Sequence, residues 1–171
     1  SINGSSSCQK CRQGSFSASA GQWMCSVCAS GSFASLPGQT HCINCLPGSA
    51  ANHTASSACH ACTPGRFADT TGLTQCHDCM MGEFNAYANA TRCLSCAAGT
   101  VTTHTASVIC HTCERGRFQD VMTRHNCTAC LMGTFSQLND ASTCVACSDG
   151  TLSNVTGAIV CIPCAVGTVT H

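Results

Sequence analysis

Pairs of cysteines three residues apart recur every 17 residues along this chain, and no insertion breaks the step. The first cysteines of the pairs are Cys8, Cys25, Cys42, Cys59, Cys76, Cys93, Cys110, Cys127, Cys144 and Cys161. A glycine stands three residues after every pair, from Gly14 and Gly31 to Gly150 and Gly167. Two softer positions complete the repeat. An apolar residue, usually Phe, lies two after the glycine, and a small or turn-forming residue lies four before the next cysteine, clearest at Gly4, Gly21, Gly38, Gly72 and Gly157. Fixed self-similarity of this kind is the mark of a repeat array and overrides the single-domain prior that 171 residues would otherwise carry. Seventeen residues cannot bury a core, because far longer chains already sit near the lower limit for folding unaided. Each repeat therefore needs a covalent or metallic staple.

The 20 cysteines are about 12% of the chain, above the density that reads as a disulfide scaffold. Such scaffolds persist in the secretory lumen, at the cell surface and outside the cell. Residues 1–171 read as one tandem array of ten repeats. Residues 1–7 align with the second half of a repeat and residues 165–171 begin another, so the array is expected to be an internal segment of a longer chain.

Charge excludes several functions. The net charge is zero, only 8% of residues are charged, and no basic run exists, so the footprint of a nucleic-acid binder is missing. No apolar stretch reaches the ~18 residues that span a bilayer, so no membrane insertion is expected in this segment. Soluble surfaces usually carry about 25–35% charged residues, so hydrophilicity must come from another source. Ser and Thr number 20 each, and N-x-[ST] acceptors occur at Asn3, Asn52, Asn89, Asn126 and Asn154. N-linked glycans, with O-linked ones as a second class, are the expected partners at these sites.

A longer period overlies the first. The apolar slot reads Phe16, Phe33, Ala50, then Phe67, Phe84, Val101, then Phe118, Phe135, Leu152, a 51-residue cycle that Val169 breaks. His53-Thr54-Ala55-Ser56 returns as His104-Thr105-Ala106-Ser107, and Gly65-Arg66-Phe67 as Gly116-Arg117-Phe118. Either a three-repeat block was duplicated, or every third repeat faces the same surroundings.

No helical periodicity is sustained within a repeat. A short run around each Phe, turn residues and a short run at the next cysteine read as a small β-hairpin. The recurrent glycine fits a backbone position that needs positive φ or close approach. The expected fold class is small, disulfide-rich and mostly β or irregular: a linear, solenoid-like array of one-disulfide hairpins in which each repeat touches mainly its neighbours. Two stacked strands per repeat would give a rise of ~10 Å and a length of ~100 Å.

Translational symmetry leaves three pairings open. A disulfide can close each C-x-x-C, join a second cysteine to the first of the next repeat, or link more distant repeats. The second choice is favoured because it closes a loop of about 15 residues, worth roughly 3 kcal/mol in the chain-entropy model. The first would create ten small redox-type loops in a row. The pattern C-x-x-C-x-x-G-x-F resembles the ephrin-receptor-like cysteine-rich repeat, most closely in Cys25-Ser26-Val27-Cys28-Ala29-Ser30-Gly31-Ser32-Phe33 and in Cys59-His60-Ala61-Cys62-Thr63-Pro64-Gly65-Arg66-Phe67. It is also similar to hairpins of epidermal growth factor modules and of tumour necrosis factor receptors. The resemblance implies an elongated extracellular array and the pairs Cys11–Cys25, Cys28–Cys42, Cys45–Cys59, Cys62–Cys76, Cys79–Cys93, Cys96–Cys110, Cys113–Cys127, Cys130–Cys144 and Cys147–Cys161. Ala50, Val101, Leu152 and Val169 depart from the family's aromatic.

Zinc is the sharpest alternative, since paired C-x-x-C elements approach zinc-ribbon spacing and His60, His77 and His111 sit inside them. Zinc knuckles would alternate with a 34-residue period, whereas the periods here are 17 and 51, so no metal or other cofactor is expected. The plain reading of those histidines is partly exposed loop residues. Seven scattered carboxylates make no catalytic dyad and no Gly-x-Ser-x-Gly elbow occurs, so the chain is not expected to be an enzyme. Trp23 is expected to cover the adjacent disulfide. The expected function is structural: an extracellular or cell-surface glycoprotein, delivered through the secretory pathway, whose partners are neighbouring copies in a fibre, appendage or matrix. The alternative is the stalk or ligand-binding ectodomain of a receptor or adhesin.

Overall fold

The computed structural model describes residues 7–121 and 125–169, so Asn3, Gly4 and Thr123 lie outside it. Among the described residues there is no helix, and nine two-stranded antiparallel hairpins follow one another along the chain. Every strand is two residues long. The first strand holds the apolar slot, and the second follows the first cysteine of the next repeat. Phe33 pairs with Ile43, Ala50 with His60, Phe84 with Leu94 and Phe135 with Val145. His60, His77 and His111 are therefore exposed strand residues rather than loop residues, which corrects the sequence expectation. The residue after each first cysteine faces its cross-strand partner at the hairpin base, so the position inside C-x-x-C is extended.

A disulfide closes each hairpin. Cys28 is joined to Cys42, Cys45 to Cys59, Cys62 to Cys76, and so on from Cys11–Cys25 to Cys147–Cys161. Cα separations of 5.6 to 5.8 Å lie within the ordinary disulfide range. The second cysteine of the pair is the buried one: Cys28, Cys45, Cys79, Cys96, Cys113 and Cys130 have no exposed surface. The first cysteines from Cys42 to Cys161 are half-buried. With so little apolar area available, these sulfurs and small neighbours such as Ala34, Ala51 and Ala68 form the interior.

The chain forms two compact units. The first comprises Ser1–His77 with Tyr87–Arg92, and the second Asp78–Ala86 with Cys93–His171. Each is knitted by the same backbone ladder. In the first unit the glycine N–H donates to a carbonyl one repeat on: Gly14 to Ala34, Gly31 to Ala51 and Gly48 to Ala68, at 2.7 to 2.8 Å. The carbonyl of the second cysteine accepts in return, from Gly38 N at Cys11, Ala55 N at Cys28, Gly72 N at Cys45 and Asn89 N at Cys62. In the second unit the same bonds run from Gly99 to Gln119, Gly116 to Ser136 and Gly133 to Ser153, and from Asp140 N to Cys113 and Gly157 N to Cys130. Backbone groups that would otherwise be orphaned beside the sulfurs are satisfied in this way.

The glycine is required twice over. Gly31 has φ of 83°, which a side chain resists, and a Cβ there would overlap the carbonyl oxygen of Gly72. Gly14 meets Ala55, Gly48 meets Asn89 and Gly116 meets Gly157 in the same manner. These partners lie 41 residues on, in the next repeat but one (14 to 55, 31 to 72). Contact therefore reaches beyond the nearest neighbour, further than the sequence expectation placed it. The carbonyl that meets the glycine belongs to the soft turn position. That residue is left-handed whether it is glycine or not: Ala55, Asn89, Ala106 and Asp140 have φ of 56° to 66°.

Candidate functional site

The hairpins fall into three classes that alternate along the chain, and the classes carry different chemistry. The first class is closed by Cys11–Cys25, Cys62–Cys76 and Cys113–Cys127. It concentrates the charges, with Arg66 and Asp69 returning as Arg117 and Asp120. Arg117 Nη1 donates to the Cys127 carbonyl at 3.1 Å.

The second class is closed by Cys28–Cys42, Cys79–Cys93 and Cys130–Cys144. Its turn carries Leu36, Tyr87 and Leu138, which are 65%, 76% and 69% exposed and stand 51 residues apart. Just after its closing cysteine come Ile43, Leu94 and Val145, also exposed and also 51 apart. At these two positions the first class has Ser19, Thr70 and Val121, then Ser26, His77 and Thr128. Scattered exposed apolar residues are normal on any surface. A large apolar residue at the same two positions of every third hairpin is a pattern. Trp23, in a hairpin of the first class, is 87% exposed, so it does not cover a disulfide as the sequence suggested.

The third class is closed by Cys45–Cys59, Cys96–Cys110 and Cys147–Cys161. It holds His53 and His60, repeated as His104 and His111 and replaced by Val155 and Ile162 in the last member. Two acceptor asparagines, Asn52 and Asn154, occupy one position of this class, two residues past the apolar slot. Asn52, Asn89, Asn126 and Asn154 are all exposed, whereas Asn3 lies outside the described residues. Asn89 occupies the left-handed turn position with φ of 62°, and its N–H donates to Cys62 at 2.8 Å. Asn126 precedes Cys127, which is committed to Cys113.

A shallow hollow of about 250 Å³ lies in the first compact unit, between Asn52, the His60–Ala61 strand and the Cys62–Cys76 hairpin. Among the described residues no three His, Cys, Asp or Glu side chains gather as a metal site would need. Cys8, exposed, and Cys164, half-buried, are the two cysteines outside the disulfides. No helix among the described residues is long and apolar enough to cross a membrane. The 51-residue rhythm is legible from the apolar slot. What the sequence does not reveal is that Leu36, Tyr87 and Leu138 are exposed while the Phe slot beside them is half-buried.

Comparison with known families agrees with this architecture. Residues 65–109 match the family described as tyrosine-protein kinase ephrin type A/B receptor-like. The matched stretch begins at Gly65, takes in the Cys79–Cys93 hairpin and ends beside Cys110. The chain is thus similar to disulfide-rich, non-catalytic modules of extracellular receptor type. No curated protein matches the chain.

Proposed function

We propose that this chain is a structural extracellular glycoprotein whose repeats associate with copies of themselves in a fibre, appendage or matrix. The observation that carries this reading is the apolar register of the second hairpin class: Leu36, Tyr87 and Leu138, with Ile43, Leu94 and Val145. One such couple is far smaller than the ~800 Å² per partner of a stable interface, so a useful contact must engage several couples together. A partner with matching sites at the same chain interval is another copy of the array, and repeated contacts of one kind generate open filaments. The low charge removes the repulsion that would hold neighbouring chains apart. Secretion supplies both the disulfides and glycans on Asn3, Asn52, Asn89, Asn126 and Asn154.

Electron microscopy of the native assembly from its source tests the reading. Continuous filaments whose axial repeat matches a whole number of 17- or 51-residue blocks support it. The receptor or adhesin reading draws on the match over residues 65–109. Isolated short particles that end in a globular head would favour that alternative.

A further inference from the structure

The hollow beside Asn52 has the chemistry of a saccharide site. Its floor is apolar, formed by buried Ala50 and the Cys62–Cys76 disulfide. Its rim is polar, formed by Asn52, His60, Thr63, Arg66, Thr74 and Gln75. A pyranose ring offers the complement, a C–H face bordered by hydroxyls and, in N-acetylglucosamine, an amide. No hydrogen bond among the described residues occupies the side chains of Asn52, Thr63, Thr74 or Gln75, so these groups stand ready for a ligand. Asn52 belongs to the acceptor triplet Asn52-His53-Thr54, and it lines the hollow itself. A sugar attached there starts at the edge of the site.

We propose that the hollow holds the first N-acetylglucosamine residues of a glycan carried by Asn52. The C–H face lies on Ala50 and the disulfide, beside the His60 ring, and Arg66 and Gln75 take hydroxyl and amide oxygens. The proposal rests on the glycoprotein reading above. Tethering explains how so shallow a site can be filled, because a short linker supplies a millimolar effective concentration. The repeat also contains its own control. Asn154 occupies the equivalent position 102 residues on, but Ile162, Pro163 and Thr168 replace His60, Ala61 and Arg66, so the polar rim is not reproduced. A glycan on Asn52 is docked, and one on Asn154 projects freely.

The test uses the full chain secreted from eukaryotic cells, deglycosylated by an amidase without denaturation and followed site by site by mass spectrometry. The Asn52 glycan is expected to be released at least about tenfold more slowly than the Asn154 glycan. Combining His60→Ala with Arg66→Ala should bring the two rates together, while peptide mapping shows Cys62–Cys76 still closed. Equal rates in the parent chain would overturn the docking and leave the glycoprotein reading standing. An unmodified Asn52 in a chain glycosylated elsewhere would overturn the site alone, and a chain bare at every acceptor would overturn both. In Asn52→Gln, N,N′-diacetylchitobiose is expected to bind no more tightly than about the millimolar range that tethering overcomes. Binding tighter than about 1 μM would overturn the tethered occupant in favour of a soluble saccharide.

Discussion

The two compact units share one backbone ladder but fill the same buried slot with opposite chemistry. The slot follows the apolar position of each hairpin. In the first unit it is Ala34, Ala51 and Ala68, all fully buried, preceded by a half-buried Ser17 in the first hairpin. In the second it is Asn85, Thr102, Gln119, Ser136 and Ser153, all buried and all polar. The ladder bond through this residue survives the change, since Gly99 N still reaches the Gln119 carbonyl and Gly116 N the Ser136 carbonyl. The polar side chains bond locally, although Gln119 Oε1 is buried with no hydrogen-bond partner among the described residues. Ser136 and Ser153 donate to carbonyls two residues on, Leu138 and Val155, and Gln119 Nε2 donates to Val121. Thr102 goes further and substitutes for the backbone: Gly82 N donates to its Oγ1 at 2.7 Å. The comparison teaches that the main chain fixes the fold, while the buried side chain has only to be small or locally satisfied.

Steric relief at the glycine is common to both units, so its loss should have the largest effect and should not discriminate between them. Gly31→Ala and Gly116→Ala each combine a positive φ with overlap of a backbone carbonyl. A loss of more than about 3 kcal/mol is expected, read as collapse of local hydrogen-exchange protection. Gly72→Ala has a similar φ but would meet only the Asn44 side chain, at an ordinary 3.7 Å, so it should lose only about 1–2 kcal/mol. Equal losses at the three positions would refute the role given to close approach.

Next in size is removal of one staple from each unit. The double change Cys62→Ser with Cys76→Ser in the first unit, or Cys96→Ser with Cys110→Ser in the second, should loosen one hairpin by roughly 3 kcal/mol. Distant hairpins should keep their protease resistance, as in other repeat arrays. Unfolding of the whole chain on loss of one pair would refute this distributed stability.

Thr102 sharpens the contrast further. Thr102→Val should cost about 1–3 kcal/mol, because the Gly82 N–H loses its hydroxyl acceptor beside a buried methyl. Thr102→Ala should be much milder, since it recreates the alanine slot of the first unit and lets the carbonyl take the bond. Exchange of the Gly82 amide distinguishes the two, and identical behaviour would argue against substitution by the hydroxyl. The smallest expected effect is a gain. Ala55→Gly in the first unit and Ala106→Gly in the second relieve left-handed alanines and should each stabilise by up to about 1 kcal/mol in thermal melts. Asn89→Gly should change little, because asparagine tolerates this conformation.

Much of this architecture is legible in the sequence. The 17-residue step implies hairpins, and the recurrent glycine implies positive φ, because both are local demands of the chain. The partner of that glycine was not legible. Gly31 meets Gly72 through a backbone carbonyl, which any residue supplies, so the pairing leaves no mark at position 72 beyond its turn character. Trp23 misled for a related reason: proximity to Cys25 in sequence says nothing about which way the side chain leaves the hairpin base. The surface reading rests on exposure, which periodicity alone does not provide. His60 illustrates this, since only the hollow beside it sets it apart from His77, whose ring lies tilted against Phe67 with centroids 5.7 Å apart.

The carbonyl that closes over Gly14, Gly31, Gly48, Gly99 or Gly116 is made 41 residues later than the glycine itself. In a secreted chain, synthesis at about 5–20 residues per second separates the two by about 2–8 seconds. During that interval the newest repeats lack their cover, and their sulfurs remain open to oxidation and exchange. Maturation therefore travels along the nascent chain as a front, two repeats behind the point of growth. A mispaired cysteine has that short window in which to be corrected before the next repeats arrive to seal it.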